Sequence, residues 1–457
     1  MDREISPLDG RYRDRLSQLG DFFSEFALVE ARCTVELHYL KFLDSTGLFP
    51  PLTDEEKARI DEAGEGFSDA DFSRVKEIEG EIRHDVKACE LFLRERLSLR
   101  NAERIHFGLT SADVNNLAYG LILTRYRNEI QLPQLRALLE ALVELADLWK
   151  EIPLPARTHG QPASPTTAGK EIAVFVGRLL RQAEQLQRHR FRGKANGATG
   201  TYASFCAAFP DFDWPAFSES FVDSLGLEPN LCTTQIESHD GLAEYFGITS
   251  RINNIVLDLD RDLWEYLSRG EMVQRVAKGE VGSSTMPHKV NPIRFENSEG
   301  NIATSNALLH TLANELTHSR MQRDLSDTTL KRNIGVALAH AHLAVGETLR
   351  GLAEVEIDEE AALAHVEATP QVLAEAVQTI LRAEGHEAPY EMLKGLSRGT
   401  GLTLDGLRKF VETLPISENT RSRLSALRPS EYVGLAPQIC QAVLERANAW
   451  LAKGSSN

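Results

Sequence analysis

The sequence predicts an all-α protein of three helical domains built around a long central helix bundle, and three observations carry that prediction. Strand signals are sparse, apolar residues recur at steps of three and four over long stretches, and the polar clusters that interrupt them fall at or near predicted helix ends. At 457 residues the chain exceeds the size at which one core usually stops growing, so more than one domain is expected.

Residues 1–106 are expected to form a smaller N-terminal helical domain, with a turn-rich edge at Leu48-Phe49-Pro50-Pro51. The central bundle is expected over 107–352. Its clearest helix carries Leu135, Leu138, Leu139, Leu142, Leu145 and Trp149 on one face. The stretches from about Ala168 to Arg190 and from about Asn333 to Val355 are apolar around much of their circumference, through Ile172, Val176, Leu179, Leu180, Leu338, Leu343 and Leu352. Helices of that kind are buried in a bundle or a subunit interface, and each spans roughly 30 Å at the usual rise. Ile248, Ile252, Ile255, Val256, Leu259, Leu263 and Leu267 mark another, with Asn253, Asp258, Asp260 and Asp262 on its other faces. Three aspartates two apart diverge around a helix axis, which argues against a metal cluster there. The acidic run Glu356, Asp358, Glu359 and Glu360, broken only by Ile357, suits the start of a third helical domain over 353–457.

Fifty Lys and Arg against 67 Asp and Glu leave a net charge of −17, which argues against nucleic acid or an anionic membrane as the main partner. An anionic substrate then needs a local basic pocket. Cys33, Cys89, Cys206, Cys232 and Cys440 are odd in number and scattered, with no C-x-x-C pair, and read as reduced thiols. The amino terminus lacks the layout of a signal peptide, and no run approaches the roughly 18 uninterrupted apolar residues of a membrane span, so a cytoplasmic protein is expected.

The run Gly282-Ser283-Ser284-Thr285-Met286-Pro287-His288-Lys289-Val290-Asn291-Pro292 combines a hinge glycine, tandem hydroxyls, a cation and two rigid prolines. It reads as a catalytic lid, mobile at the serines and stiffer from Lys289 to Asn291. The plain alternative is a solvated connector.

Four further clusters stand near helix ends: Asp9-Gly10-Arg11-Tyr12, Arg83-His84-Asp85, His106-Phe107-Gly108-Leu109-Thr110-Ser111-Ala112-Asp113 and Arg157-Thr158-His159-Gly160-Gln161-Pro162. Helix ends and loops offer backbone N–H groups beside side chains, which suits carboxylate or phosphate binding. Singly, each has a structural reading: Thr110 or Ser111 as an N-cap, Asp85 as a first-turn charge, His159 as a hydrogen-bonded loop residue.

Taken together, Thr158-His159-Gly160-Gln161 and the loop from Gly282 to Pro292 resemble the signatures of the fumarase/aspartase superfamily, whose members eliminate fumarate from a succinyl group. Within it the chain is similar to the adenylosuccinate lyase family. Ser6-Pro7-Leu8-Asp9-Gly10-Arg11-Tyr12, Arg83-His84-Asp85-Val86, His106-Phe107-Gly108-Leu109-Thr110-Ser111 and Gln322-Arg323-Asp324-Leu325-Ser326-Asp327-Thr328 match in order, up to about Arg332. The resemblance implies a homotetramer whose central helices form one bundle, with each active site shared among three subunits. It implies release of fumarate from adenylosuccinate to give AMP, and from the succinyl-carboxamide imidazole ribotide (SAICAR) to give the carboxamide (AICAR). It also implies His159 as general acid and Ser283 as general base. Ser284, Lys289 and Asn291 would hold carboxylate, while Arg11, Tyr12, Arg323, Thr328 and Arg332 would lie near the nucleotide phosphate. Arg83, His84, Asp85, Thr110, Ser111, Thr158, Gln235 and Asn297 complete the implied pocket. Two positions depart from the family pattern: Arg83 stands where Asn is expected, and Ser238 where Pro is expected.

The implied chemistry explains the residue types. β-Elimination across a C–N bond removes a weakly acidic proton beside a carboxylate while the departing nitrogen gains one, so two groups on opposite sides are needed. The dianionic, enolate-like species is stabilised by fixed donors and cations such as Lys289, Asn291 and Thr158. Imidazole titrates near neutrality, so a protonated His159 can supply the nitrogen's proton. A serine base is more demanding, because each pKa unit of lowering requires about 1.4 kcal/mol. Several units, roughly 5 to 10 kcal/mol, call for Lys289 and backbone N–H groups in a closed, dry site. Spacing alone leaves Ser283 and Ser284 open as the base, with His84 and His106 as rival proton-transfer groups. His340 and His342, two apart on a helix, make a poor metal pair. Without His-Glu-x-x-His, phosphate-loop or dinucleotide motifs, neither metal nor organic cofactor is expected. The rival readings are another fumarate-releasing lyase, such as argininosuccinate lyase or aspartase, and a non-catalytic helical scaffold. The Arg11, Arg323 and Arg332 set favours a phosphorylated substrate.

Overall fold

A computed structural model describes residues 3–275, 290–387 and 403–453. The chain is mostly helical, as the apolar spacing predicts. Seven helices among the described residues have 17 residues or more: Glu25–Asp44, Leu132–Leu148, Ala168–Arg188, Asp240–Arg269, Ile293–Glu315, Ile334–Glu354 and Ala436–Lys453. Four of them follow the stretches marked in the sequence. The Ile293–Glu315 helix does not announce itself, because its buried stripe of Phe295, Ser298, Ile302, Ser305, Leu309 and Leu312 is interrupted by two fully buried serines. No helix among the described residues is long and apolar enough to cross a membrane.

The chain divides into two compact units. The first comprises Met1–Gln134, Gln182–Asn254 and Gly300–Ala344. Its early helices, Glu25–Asp44, Asp54–Glu65, Asp69–Ile82 and Asp85–Leu97, start where the sequence supplies caps. Ser24 Oγ accepts from Ala27 N, and Thr53 with Glu56 and Ser68 with Asp71 form capping boxes. Val29, Leu37, Leu40, Ile60, Val75, Cys89, Phe92 and Leu93 form their common core. Each such side chain contributes about 1.5–3 kcal/mol by leaving water. A second packing centre is aromatic: Tyr39, Phe107, Phe205, Trp214, Phe217 and Phe221 meet edge to face or tilted, except that Phe217 and Phe221 stack on each other. It explains Gly108, where a Cβ would lie 2.5 Å from the Phe205 ring and φ is +72°. The turn that feeds Thr110 and Ser111 into the Ser111–Tyr126 helix is thereby fixed.

The second unit comprises Leu135–Arg181, Ile255–Glu299 and Val345–Asn457. Its strands Pro153–Thr158 and Gln161–Thr167 form an antiparallel hairpin, with an irregularity between Leu154 and Ala156. The sequence reading put this stretch at a helix end. Four prolines argue against an interior strand, yet a two-stranded ribbon tolerates them because it consists of edges. The Ser164 hydroxyl donates to Glu375, which also accepts from Tyr432 Oη at 3.1 Å. The acidic run after Val355 begins as a short strand, Val355–Ile357, paired with Met272–Gln274; Asp358 then caps the Glu359–Glu367 helix by accepting from Ala361 N. Val372, Leu373, Val377, Leu381, Leu407, Val411, Leu414 and Leu424 form the C-terminal core.

Asp258, Asp260 and Asp262 diverge as expected. Asp258 is exposed and pairs with Arg178, whereas Asp260 is buried and accepts the Thr348 hydroxyl at 2.9 Å. His340 and His342 likewise face different partners, Asn301 and Gln18. Cys33, Cys89 and Cys440 are buried free thiols; Cys206 and Cys232 are exposed.

Candidate active site

Arg83-His84-Asp85 forms the joint between two helices of the first unit. Arg83 closes the Asp69–Ile82 helix in the left-handed region, φ 56°, and its N–H bonds Glu79 O at 2.7 Å. His84 then caps the next helix, its Nδ1 accepting from Lys87 N at 3.2 Å. Asp85 accepts from the buried Arg32 at 2.8 Å, and Arg32 also donates to Asn115. Burial would raise the Asp85 carboxyl, but the Arg32 guanidinium and the Val86 N–H outweigh it and hold its pKa below the ordinary value.

The His106–Asp113 cluster is anchored from beneath. His106 takes a left-handed φ of 64° and sets Nδ1 2.5 Å from Glu36 Oε1. Burial lowers its pKa, yet the Glu36 carboxylate prevails and the net shift is upward. Thr110 N donates to Asp113 Oδ2 at 2.8 Å. Asp113 Oδ1 accepts from Asn196 N at 3.1 Å and lies 2.8 Å from Lys194 Nζ, with neither charged side chain exposed. The backbone ahead of Ser111 is therefore held by a fully buried ion pair. Burial lowers the Lys194 pKa against the pull of Asp113, and the Arg323 charge lowers it further.

That coupling leads to the third cluster. Arg323 Nη1 donates to Gln235 Oε1 at 3.1 Å, and Gln235 N donates to Gln322 O at 3.3 Å. Two residues far apart in sequence are thus joined directly. Thr328 Oγ1 donates to Asp327 Oδ1 at 3.3 Å, and Lys331 Nζ lies 2.6 Å from Asp327 Oδ2. Burial lowers the Lys331 pKa, Asp327 opposes, and Arg323 and Arg32 add to the lowering. Arg32, Lys194 and Lys331 are each paired with a carboxylate, Asp85, Asp113 and Asp327, whereas Arg323 rests on the neutral amide of Gln235. Arg332 is exposed at the end of the Ser326–Lys331 helix. It lines a cavity of about 350 Å³ together with Ser6, Asp9, Arg13, Phe23 and Gly335. Arg11 is exposed and Tyr12 half-buried in the turn that forms this cavity's other side, where Tyr12 N bonds Pro7 O at 2.9 Å. Ser238, the second departure, donates to Asp240 Oδ2 at 2.9 Å at the start of the Asp240–Arg269 helix.

The second unit carries Thr158, His159, Asn291 and Asn297. Thr158 pairs with Gln161 across the hairpin, so His159 and Gly160 are its two-residue tip, with φ of 54° and 72°. Two consecutive left-handed residues are what a tight hairpin with matching twist requires. The tip leaves His159 exposed. Asn291 O accepts from Ile293 N at 2.8 Å, leading into the helix that bears half-buried Asn297. Ser283, Ser284 and Lys289 lie outside the described residues.

A family model described as Lyase matches residues 18–305, and one described as Adenylosuccinate lyase C-terminal matches 319–433. The adenylosuccinate lyase of Haemophilus influenzae is 45% identical over 445 residues, covering 96% of this chain and 98% of the relative. The chain belongs to the adenylosuccinate lyase family. The adenylosuccinate lyase of Escherichia coli strain K12 is 44% identical over 440 residues, 94% of this chain and 96% of the relative. Two solved structures share the fold: a fumarate lyase from Mesorhizobium sp. BNC1, TM-score 0.75 at 19% identity, and a 3-carboxy-cis,cis-muconate lactonizing enzyme from Pseudomonas putida, TM-score 0.74 at 22% identity. They cover 94% and 95% of this chain, and 97% of each of their own. The adenylosuccinate lyase resemblance in the motifs therefore extends through the C-terminal domain, where the sequence alone offered little, and the chain is an enzyme of the lyase class.

Some residues that hold these clusters in place escape sequence reasoning. Lys194, Glu237 and His239 act from burial, and Asp113 and Asp327, which stand inside clusters the sequence singles out, find their buried partners only in the fold. Asp327 and Lys331, four apart on one helix, are a pair whose spacing could have shown them.

Proposed function

We propose that this chain eliminates fumarate from adenylosuccinate to give AMP, and from SAICAR to give AICAR. Near-full-length identity to adenylosuccinate lyases supports the reaction class. The observation that carries the substrate assignment is the Arg323–Gln235 contact, which seats a guanidinium on a neutral amide while the neighbouring Arg32, Lys194 and Lys331 are each matched by a carboxylate. Such a cation attracts a phosphorylated dianion.

On this reading His159 protonates the departing nitrogen and Ser283 removes the proton beside the carboxylate, with Ser284, Lys289 and Asn291 holding carboxylate and Thr158 adding a donor. Arg11, Tyr12, Arg323, Thr328 and Arg332 serve the phosphate, and Arg83, His84, Asp85, Thr110, Ser111, Gln235 and Asn297 complete the pocket. The exposed hairpin tip suits a group that reaches toward a substrate rather than one that packs its own core. The working form is a cytoplasmic homotetramer with shared sites, the 107–352 segment forming its core between helical domains at 1–106 and 353–457. Exposed Leu148, Val174, Trp264, Val273 and Ile293 offer the apolar surface that a subunit interface would cover.

The test compares fumarate release by the purified protein from adenylosuccinate, SAICAR, argininosuccinate and aspartate. Turnover of the first two is expected, and turnover of only the last two would overturn the proposal. His159→Ala and Ser283→Ala are each expected to lose most turnover while binding substrate and remaining tetrameric. Near-normal rates from Ser283→Ala would transfer the base role to Ser284 or a histidine.

A further inference from the structure

We propose that His239 and Asp327 form a positioning clamp that sets the Arg323–Thr328 segment against Gln235, governing affinity for the phosphate half of the ligand. The inference rests on the phosphate-side reading above. His239 is 3% exposed at φ 63°, and its backbone N–H donates to Glu237 Oε2 at 2.7 Å. Its ring lies between two carboxylates, with Nδ1 3.7 Å from Glu237 Oε2 and Nε2 3.6 Å from Asp327 Oδ2. Those separations are contacts of charge and dipole and too long for hydrogen bonds. Nε2 has no hydrogen-bond partner among the described residues, so an imidazole fully withdrawn from water is held chiefly by the carboxylates on either side.

Both carboxylates are fixed from behind. Glu237 Oε1 accepts from Asn230 at 3.0 Å. Asp327, also 3% exposed, is gripped by Lys331, whose ammonium stands 5.5 Å from the centre of the Tyr119 ring. Burial opposes ionisation of Asp327, but contacts with His239 and Lys331 outweigh it and keep its pKa low. From the half-buried Asn230 a buried path therefore runs through Glu237, His239 and Asp327 to Lys331. It links the loop that carries Gln235 to the segment that carries Arg323, Thr328 and Arg332, in addition to the direct Gln235–Arg323 bond.

Asp327 also bears on Thr328 directly. The Thr328 hydroxyl donates to Asp327 Oδ1 at 3.3 Å, whereas a phosphate oxygen can only accept. Binding phosphate through Thr328 requires that this long bond be released. With Asp327 held by Lys331 and His239, its oxygen stays in place while the hydroxyl turns.

The test uses the full-length enzyme and the variants Asp327→Asn, His239→Ala and His239→Gln. Steady-state kinetics give kcat and KM for adenylosuccinate, and product inhibition gives separate affinities for AMP and fumarate. Asp327→Asn and His239→Ala are expected to weaken AMP about tenfold and raise KM similarly, with kcat and fumarate affinity within about threefold of wild type. His239→Gln, which keeps a donor, is expected to restore most AMP affinity. In an Arg323→Ala background Asp327→Asn should add little further loss. Should Asp327→Asn fail to fold, the two His239 variants decide the matter by the same comparison. Unchanged AMP affinity, or equal losses for AMP and fumarate, would overturn the clamp. A wild-type enzyme that turns over but is not inhibited by AMP would instead overturn the phosphate-side reading on which the clamp stands.

Discussion

Arg32 donates to Asp85 Oδ2 at 2.8 Å from a guanidinium that is only 4% exposed, so the first residue of one helix accepts a buried cation from another. Removing one member of such a pair leaves the other charge uncompensated. Asp85→Asn is expected to cost about 3 kcal/mol at neutral pH, despite the remaining bond from Arg32 to Asn115. The sign of the pH dependence follows from the lowered folded pKa of Asp85. Its stabilisation is fully present above the unfolded value near about 3.9 and is lost as pH falls through the folded value. Urea midpoints for wild type and variant should diverge at pH 7 and converge in acid. An equal gap at both ends would refute the role given to this charge.

Arg83 occupies a left-handed position that asparagine or glycine adopts at lower cost. An arginine at this position therefore carries a conformational cost. By relieving the left-handed strain, Arg83→Asn and Arg83→Gly should each stabilise the fold by about 0.5–1 kcal/mol, the glycine variant giving back part of this through a freer unfolded chain. The measurement is the denaturation midpoint, and a fall in both variants would show that the Arg83 side chain contributes more than its backbone strain removes.

Asp260 is a carboxyl group buried among helices, and burial pushes its pKa up to about 8 despite hydrogen bonds from Ser298 and Thr348. Below about pH 4 folded and unfolded chains both keep the proton; between that value and about 8 only the folded chain does. Stability from this group therefore declines as pH rises across that window and levels off above it. Asp260→Asn keeps a donor and cannot ionise. Its stability relative to wild type should increase with pH by up to about 1.4 kcal/mol per unit within the window. Parallel pH profiles for the two proteins would count decisively against a neutral Asp260.

The apolar spacing of Leu135, Leu138, Leu139 and Leu142 sufficed to predict a helix because helical periodicity is a local property, and all four are buried in the Leu132–Leu148 helix. The Ile293–Glu315 helix was not legible in the same way. Ser298 and Ser305 lie in its buried stripe, and their hydroxyls reach Thr348 and Ala337 O, partners that only packing supplies. The hairpin that presents His159 was hidden by its prolines, which are permitted because a two-stranded ribbon leaves outward backbone groups unpaired.

The sequence by itself determined the helical class, the acidic surface and the short motifs, since each depends on residues close together in the chain or on composition. Tertiary structure alone decided that Gln235 meets Arg323, that Asp113 holds Lys194, and that His239 lies between Glu237 and Asp327. Those pairings join segments up to 88 residues apart or depend on burial. Burial is also what turns a modest surface attraction into an interaction strong enough to set pKa values and fix a loop.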